Sequence, residues 1–122
     1  MGAEIARTLV ARGAQVLISD LDSVELSDLG VELDMATMHC DVTDREQVVA
    51  LGRAAMEEWG RIDLWINNAG VWTPYTPVDN VDFNKAHQLV EVNYFGIDNV
   101  AATTPAEHQE IWKTDDVRTR EV

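Results

Sequence analysis

The chain has 122 residues, 46% hydrophobic and 25% charged, which is the composition of one folded domain with a modest core. Nine basic against 22 acidic residues give a net charge of −13; this repels phosphate backbones and anionic lipid, so no nucleic-acid or membrane-surface role is expected, although backbone amides and a helix dipole could still hold a nucleotide. No apolar run approaches the ~20 residues of a membrane span, no charged-then-apolar leader precedes the first helix, and the single Cys40 excludes an internal disulfide or a multi-cysteine zinc site, so the expected location is cytoplasmic.

Gly2 to Gly13 reads as a helix, because Ile5 and Leu9, like Ala6 and Val10, stand four apart on adjoining faces. Gly13 is a natural stop. Ala14 to Ser19, centred on Val16-Leu17-Ile18, reads as a buried strand ending in Asp20. Leu21 to Gly30 is acidic and irregular, with room for one helical turn, and Val31 to Cys40 contains a weaker strand followed by Asp41-Val42. Thr43 stands three residues before Glu46, the spacing of a capping box. Val48, Leu51, Ala55 and Trp59 then fall at helical spacing until Gly60.

Ile62 to Ile66 is an apolar run interrupted only by Asp63 and closed abruptly by Asn67-Asn68-Ala69-Gly70. It reads as a strand buried on both faces, whose carboxyl end opens on a crevice where ligands bind in open α/β sheets. Val71 to Val78, with Trp72, Pro74, Tyr75 and Pro77, is a loop; Asn80 is placed to cap a helix running through Phe83, Ala86 and Val90 towards Asn93. The order helix, strand, strand, helix, strand, helix predicts an α/β fold with a parallel sheet and helices on both faces. Beyond Val100, Pro105 breaks any continuing helix, and residues 107–122 are mostly charged and polar, so a divergent tail over 101–122 is expected.

Asp20 follows Gly2 by 18 positions (20 − 2). An acid ~20 residues beyond a glycine turn, at the end of the next strand, hydrogen-bonds a ribose 2′-hydroxyl and repels a 2′-phosphate, which favours NAD over NADP. Taken alone, Asp20 reads first as an ordinary strand-end acid, Asp41 is equally a turn residue ahead of a helix, and Asn93 also fits a helix-surface amide and Gly2 a permissive second residue. Trp72 and Tyr75 suit a pocket wall or the edge of a core. Cys40 reads as a small buried hydrophobe. His39, His87 and His108 show no ligand pairing, and His108-Gln109-Glu110 lacks the Pro-Cys-x-x-Cys of a zinc deaminase, so no metal is expected.

In combination these motifs resemble the short-chain dehydrogenase/reductase family. Asn67-Asn68-Ala69-Gly70 is similar to the family's Asn-Asn-Ala-Gly signature, and Met1 to Ala6 resembles the last glycine of its Thr-Gly-x-x-x-Gly-x-Gly turn with the helix that follows. The resemblance covers Gly2 to about Val100. It implies that Gly2 lies near the pyrophosphate, that Asp20 with Leu21 meets the ribose, and that the Asp41 carboxylate and Val42 amide meet adenine. It further implies that Asn68, Ala69 and Gly70 line the adenosine side, and that Asn93, in Val92-Asn93-Tyr94-Phe95-Gly96, is the catalytic asparagine holding a water for the active-site lysine.

Hydride transfer in this family between the nicotinamide and a secondary alcohol or ketone uses a Tyr-x-x-x-Lys pair and a serine. Here Tyr75 is followed four places on by Asp79 and Tyr94 by Asp98, and no serine follows Asp28; none of those three roles is assigned. The family's first strand would also lie before Met1, in the middle of the sheet. The expectation is thus an incomplete Rossmann-type α/β/α unit over residues 1–100, lacking the first strand and the carboxyl-terminal half, with open strand edges that favour homo-oligomerisation. The alternatives are a non-catalytic nucleotide- or partner-binding module and a truncated product without function.

Overall fold

The computed structural model describes residues 1–74 and 77–103; Tyr75 and the tail from residue 104 lie outside the described residues. Helix α1 spans Gly2–Ala11, strand β1 Ile18–Asp20, helix α2 Ser23–Leu33, strand β2 Thr37–His39 and helix α3 Arg45–Trp59. After a 3₁₀ turn at Val78–Asn80, helix α4 (Phe83–Val90) passes through a π turn (Glu91–Phe95) into helix α5 (Gly96–Thr103).

β1 and β2 are parallel, with Ile18 opposite Thr37, Ser19 opposite Met38 and Asp20 opposite His39. Successive side chains of a strand point to opposite faces, and the two faces of β2 have different covers. Thr37 meets α2, where a Cβ on Gly30 would lie 2.5 Å from its Cγ2. Met38 points the other way, into the core of Cys40, Val48, Leu51 and Val100, with Leu17 and Trp65 packed against it. The architecture is α/β/α in three layers, as expected, and its sheet is incomplete.

Helix α3 buries Val48, Leu51 and Ala55, the row that the spacing picks out. Its cap is one residue later than expected. Asp44, not Thr43, accepts from the amides of Glu46 and Gln47, while the Gln47 side chain returns a hydrogen bond of 2.9 Å to the second Asp44 oxygen. It is an aspartate N-cap, not a reciprocal capping box, because the Asp44 amide donates to the Asp41 carbonyl and the Gln47 side chain bonds the cap carboxylate. Thr43 is diverted, because its amide and hydroxyl both donate to Asp41.

Three further expectations change. Leu21 to Gly30 is mostly helix, since the Asp22 carboxylate caps α2 by accepting from Val24 and Glu25 at 2.9 and 3.0 Å. That helix runs on through Val31 and ends at Asp34 in the left-handed region (φ 53°), so β2 is confined to Thr37–His39. Asn80 belongs to the 3₁₀ turn, and Asp82 caps α4 instead.

The largest difference concerns Ile62 to Ile66, which joins no sheet and makes no backbone hydrogen bond among the described residues. Trp65 lies over Gly52 of α3, with ring carbons 3.6 Å from where a Cβ would be. Leu64 is 65% and Ile66 41% exposed, so the reading of burial on both faces fails. A parallel strand needs a neighbour at its side, and among the described residues the sheet holds β1 and β2 alone, so no strand pairs with this segment.

Candidate functional site

The candidate residues gather at the carboxyl ends of the two strands and around the turns beyond them. Asp20 closes β1, and Asp41 follows β2 by two residues; the Cys40 amide bonds the Asp20 carbonyl at 3.2 Å, which keeps the two strand ends side by side. One Asp20 oxygen accepts from the amides of Leu21 (2.7 Å) and Asp22 (3.2 Å). The other oxygen accepts no hydrogen bond among the described residues. Leu21 itself is exposed.

Asp41 is arranged in the same manner. Its Oδ1 accepts from the Thr43 amide at 2.9 Å and the Thr43 hydroxyl at 2.7 Å, and its Oδ2 takes no partner among the described residues. The Asp41 amide donates to Gln47 Oε1 at 2.9 Å, which ties the turn to the first turn of α3. Cys40, immediately before, is 3% exposed; burial, and then the charges of Asp41 and Asp44, push its thiol up from the ordinary value, so it holds its proton and packs.

Gly2 and Asn68 meet. A Cβ on Gly2 would stand 2.6 Å from Asn68 Nδ2, so the missing side chain is what lets the start of α1 approach the Asn67–Gly70 turn. Ala69 and Gly70 are exposed, and a Cβ on Gly70 would lie 3.3 Å from Asn93 Oδ1. Asn93 sits in the π turn and spends both ends of its carboxamide on one residue, accepting from the Val71 amide at 2.9 Å and donating to the Val71 carbonyl at 2.7 Å. Its side chain therefore fixes the chain after Gly70.

The structure thus brings together Gly2 with Asn68, Gly70 with Asn93, and Asp20 with Asp41. Two residues that the sequence reading omitted also belong here: Gln47, which holds Asp41, and Asn99, whose Nδ2 donates to the Val42 carbonyl at 3.0 Å. Neither has a local signal, since both sit within helices where an amide reads as surface. Among the described residues no group of three or more His, Cys, Asp or Glu could hold a metal ion, and no helix is long and apolar enough to cross a membrane.

The residues present suit a dinucleotide. The acceptor set at the strand ends is two carboxylates with one oxygen each unspent among the described residues, and Gly2 opens a ten-residue helix beside Asn68.

Comparison with known proteins identifies the family and the fold. The family described as enoyl-(acyl carrier protein) reductase matches residues 1–108. An L-fucose dehydrogenase from Oryctolagus cuniculus is 39% identical over 97 residues, spanning 79% of this chain and 34% of its own. A short chain dehydrogenase from Mycobacterium smegmatis, known from its crystal structure, superposes with a TM-score of 0.78 at 29% identity, covering 84% of this chain and 45% of its own. The fold recurs in ElxO, solved with NADPH bound, at a TM-score of 0.79 and 20% identity over 90% of this chain and 46% of that one. The chain spans less than half the length of each of these relatives. Matched by family over most of its length and by fold in its α/β/α layers, this chain belongs to the short-chain dehydrogenase/reductase family.

Proposed function

We propose that this chain carries the adenosine side of a nicotinamide-dinucleotide site, and that the whole protein transfers hydride between the nicotinamide and a secondary alcohol or ketone. The observation that carries the reading is the pair of carboxylates at neighbouring strand ends, Asp20 and Asp41, each bound inward by one oxygen with the other unspent. Asp20 holds the ribose 2′-hydroxyl with its unspent oxygen and disfavours a 2′-phosphate by charge, so NAD is preferred over NADP. Leu21 covers the ribose, Asp41 and Val42 take the adenine, Gly2 lies near the pyrophosphate, and Asn68, Ala69 and Gly70 line the adenosine side. Asn93 acts as a positioning residue, holding Val71 and with it the floor of the reacting end. Bound dinucleotide would supply the hydride chemistry; these 122 residues contain no Tyr-x-x-x-Lys pair.

Calorimetric titration of the 122-residue chain with NAD and NADP tests the reading. NAD should bind more tightly, and Asp20→Ala should remove most of the preference, about tenfold for one charge-assisted hydrogen bond of ~1.5–3 kcal/mol. Equal or tighter binding of NADP by the unaltered chain would overturn the NAD assignment, and binding of neither would overturn the site.

A further inference from the structure

We propose that Asn99 is the positioning residue of the adenine end, fixing the 41–43 turn against α5 so that the Val42 amide and the Asp41 carboxylate present one donor and one acceptor outward. The proposal rests on the dinucleotide reading above and adds to it a residue from a different element.

The argument is an accounting of the backbone polar groups of the turn, which must all go somewhere. The Asp41 amide donates to Gln47 Oε1 at 2.9 Å, and its carbonyl accepts from the Asp44 amide at 3.0 Å. The Thr43 amide donates to Asp41 Oδ1 at 2.9 Å. The carbonyls of Val42 and Thr43 both accept from Asn99 Nδ2, at 3.0 and 3.4 Å. Among the described residues only the Val42 amide is left over, next to the unspent Asp41 Oδ2. One donor beside one acceptor matches the edge of a 6-aminopurine, whose ring nitrogen accepts and whose amino group donates.

Asn99 is the sole side chain among the described residues that bonds the two carbonyls, and it reaches them across 57 and 56 positions of sequence. Two neighbours on the same face of α5 make its approach possible. A Cβ on Gly96 would lie 2.9 Å from Val42 Cγ2, so a glycine three residues before Asn99 lets the helix lie directly on the turn. Val100, 7% exposed, anchors the same face in the core beside Cys40. With the Val42 and Thr43 carbonyls held by α5 and the Asp41 carbonyl by the Asp44 amide, the peptide plane between Asp41 and Val42 is fixed with its amide unspent among the described residues.

The test is the ratio of affinities for NAD and for nicotinamide hypoxanthine dinucleotide, which carries a carbonyl in place of the 6-amino group. The unaltered chain should prefer NAD. Asn99→Leu keeps the branching at Cγ and removes both hydrogen bonds, and it should cut that preference about tenfold. Asn99→Asp keeps the shape but sets a carboxylate against two carbonyl oxygens, so it should lose the preference as well; if Asn99→Leu does not fold, this variant decides. A loss of affinity equal for both dinucleotides, or an unchanged ratio, would overturn the role of Asn99 while leaving the site intact. Absence of NAD binding by the unaltered chain would instead overturn the dinucleotide reading, and this proposal with it.

Discussion

Val16-Leu17-Ile18 and Ile62-Asp63-Leu64-Trp65-Ile66 have similar apolar content, and both read as strands, yet only the first leads into a sheet. Ile18 finds Thr37 at its side, and β1 closes a ladder with β2 between α2 and α3. The second stretch lies on α3 through Trp65 and makes no backbone hydrogen bond among the described residues. Buried in that state, each unpaired backbone group would cost ~1–3 kcal/mol. Leu64 and Ile66 are open to water instead, which satisfies the backbone and leaves the apolar side chains exposed. The contrast teaches that a buried strand is a property of a pair: hydrophobic pattern proposes it, and a partner edge completes it.

The sharpest way to break this comparison is to truncate the same residue type in the core that covers the paired strands and in the unpaired stretch. Leu51 is 8% exposed and sits in the core, whereas Leu64 is 65% exposed. Leu51→Ala should lower unfolding stability by ~2–5 kcal/mol, the usual range for a buried leucine. Leu64→Ala should change it by less than ~0.5 kcal/mol, as for a surface site. Urea unfolding of both variants measures the difference. An equal loss for Leu64→Ala would mean that this segment is packed in solution, and the contrast drawn here would fail.

Helix caps sharpen the same contrast at smaller amplitude. Asp22 caps α2, which packs on both strands, and Asp82 caps α4, which buries no residue. Asp22→Ala should cost ~0.5–2 kcal/mol of global stability. Asp82→Ala should fray α4 locally and barely move the unfolding midpoint, with faster amide exchange at Asn84 and Lys85 as its signature. A comparable midpoint shift for both would make α4 part of the cooperative unit.

How much of this was legible in advance follows the same physics. The α3 row of Val48, Leu51 and Ala55 was readable because helical periodicity is local and repeats within one element. The α2 helix was missed because Leu26, Leu29 and Leu33, though at helical spacing, are interleaved with Asp22, Glu25, Asp28 and Glu32, and the Asp22 cap and the packing of Gly30 on Thr37 favour the helix over an acidic loop. Caps slipped by one or two residues at Asp44 and Asp82 because Thr, Asp and Asn are all good caps, and neighbouring geometry chose among them. At the candidate site, Asp20, Asp41 and Asn93 stand out as motif residues. Gln47 and Asn99 do not, because their partners are backbone groups of a turn, which no local pattern encodes.

The smallest expected effect concerns acid. Asp44 is held below its ordinary value of 3.8, first by the Gln47 side chain and then by the Gln47 amide, and Glu32 below 4.5 by the Arg7 guanidinium that bridges α1 to α2. A carboxylate whose folded-state value is depressed adds stability that is complete above its unfolded value and is lost as pH falls through the folded one. Both groups belong to the sheet-bearing part of the chain, so its unfolding midpoint in urea should be level near neutrality and decline below about pH 4. Asp44→Asn retains a capping oxygen without a titrating group; it should shrink the difference between midpoints at pH 7 and pH 3 while leaving α3 formed. An undiminished difference would assign the acid sensitivity to other carboxylates and take away the electrostatic part of what distinguishes the paired strands from the unpaired one.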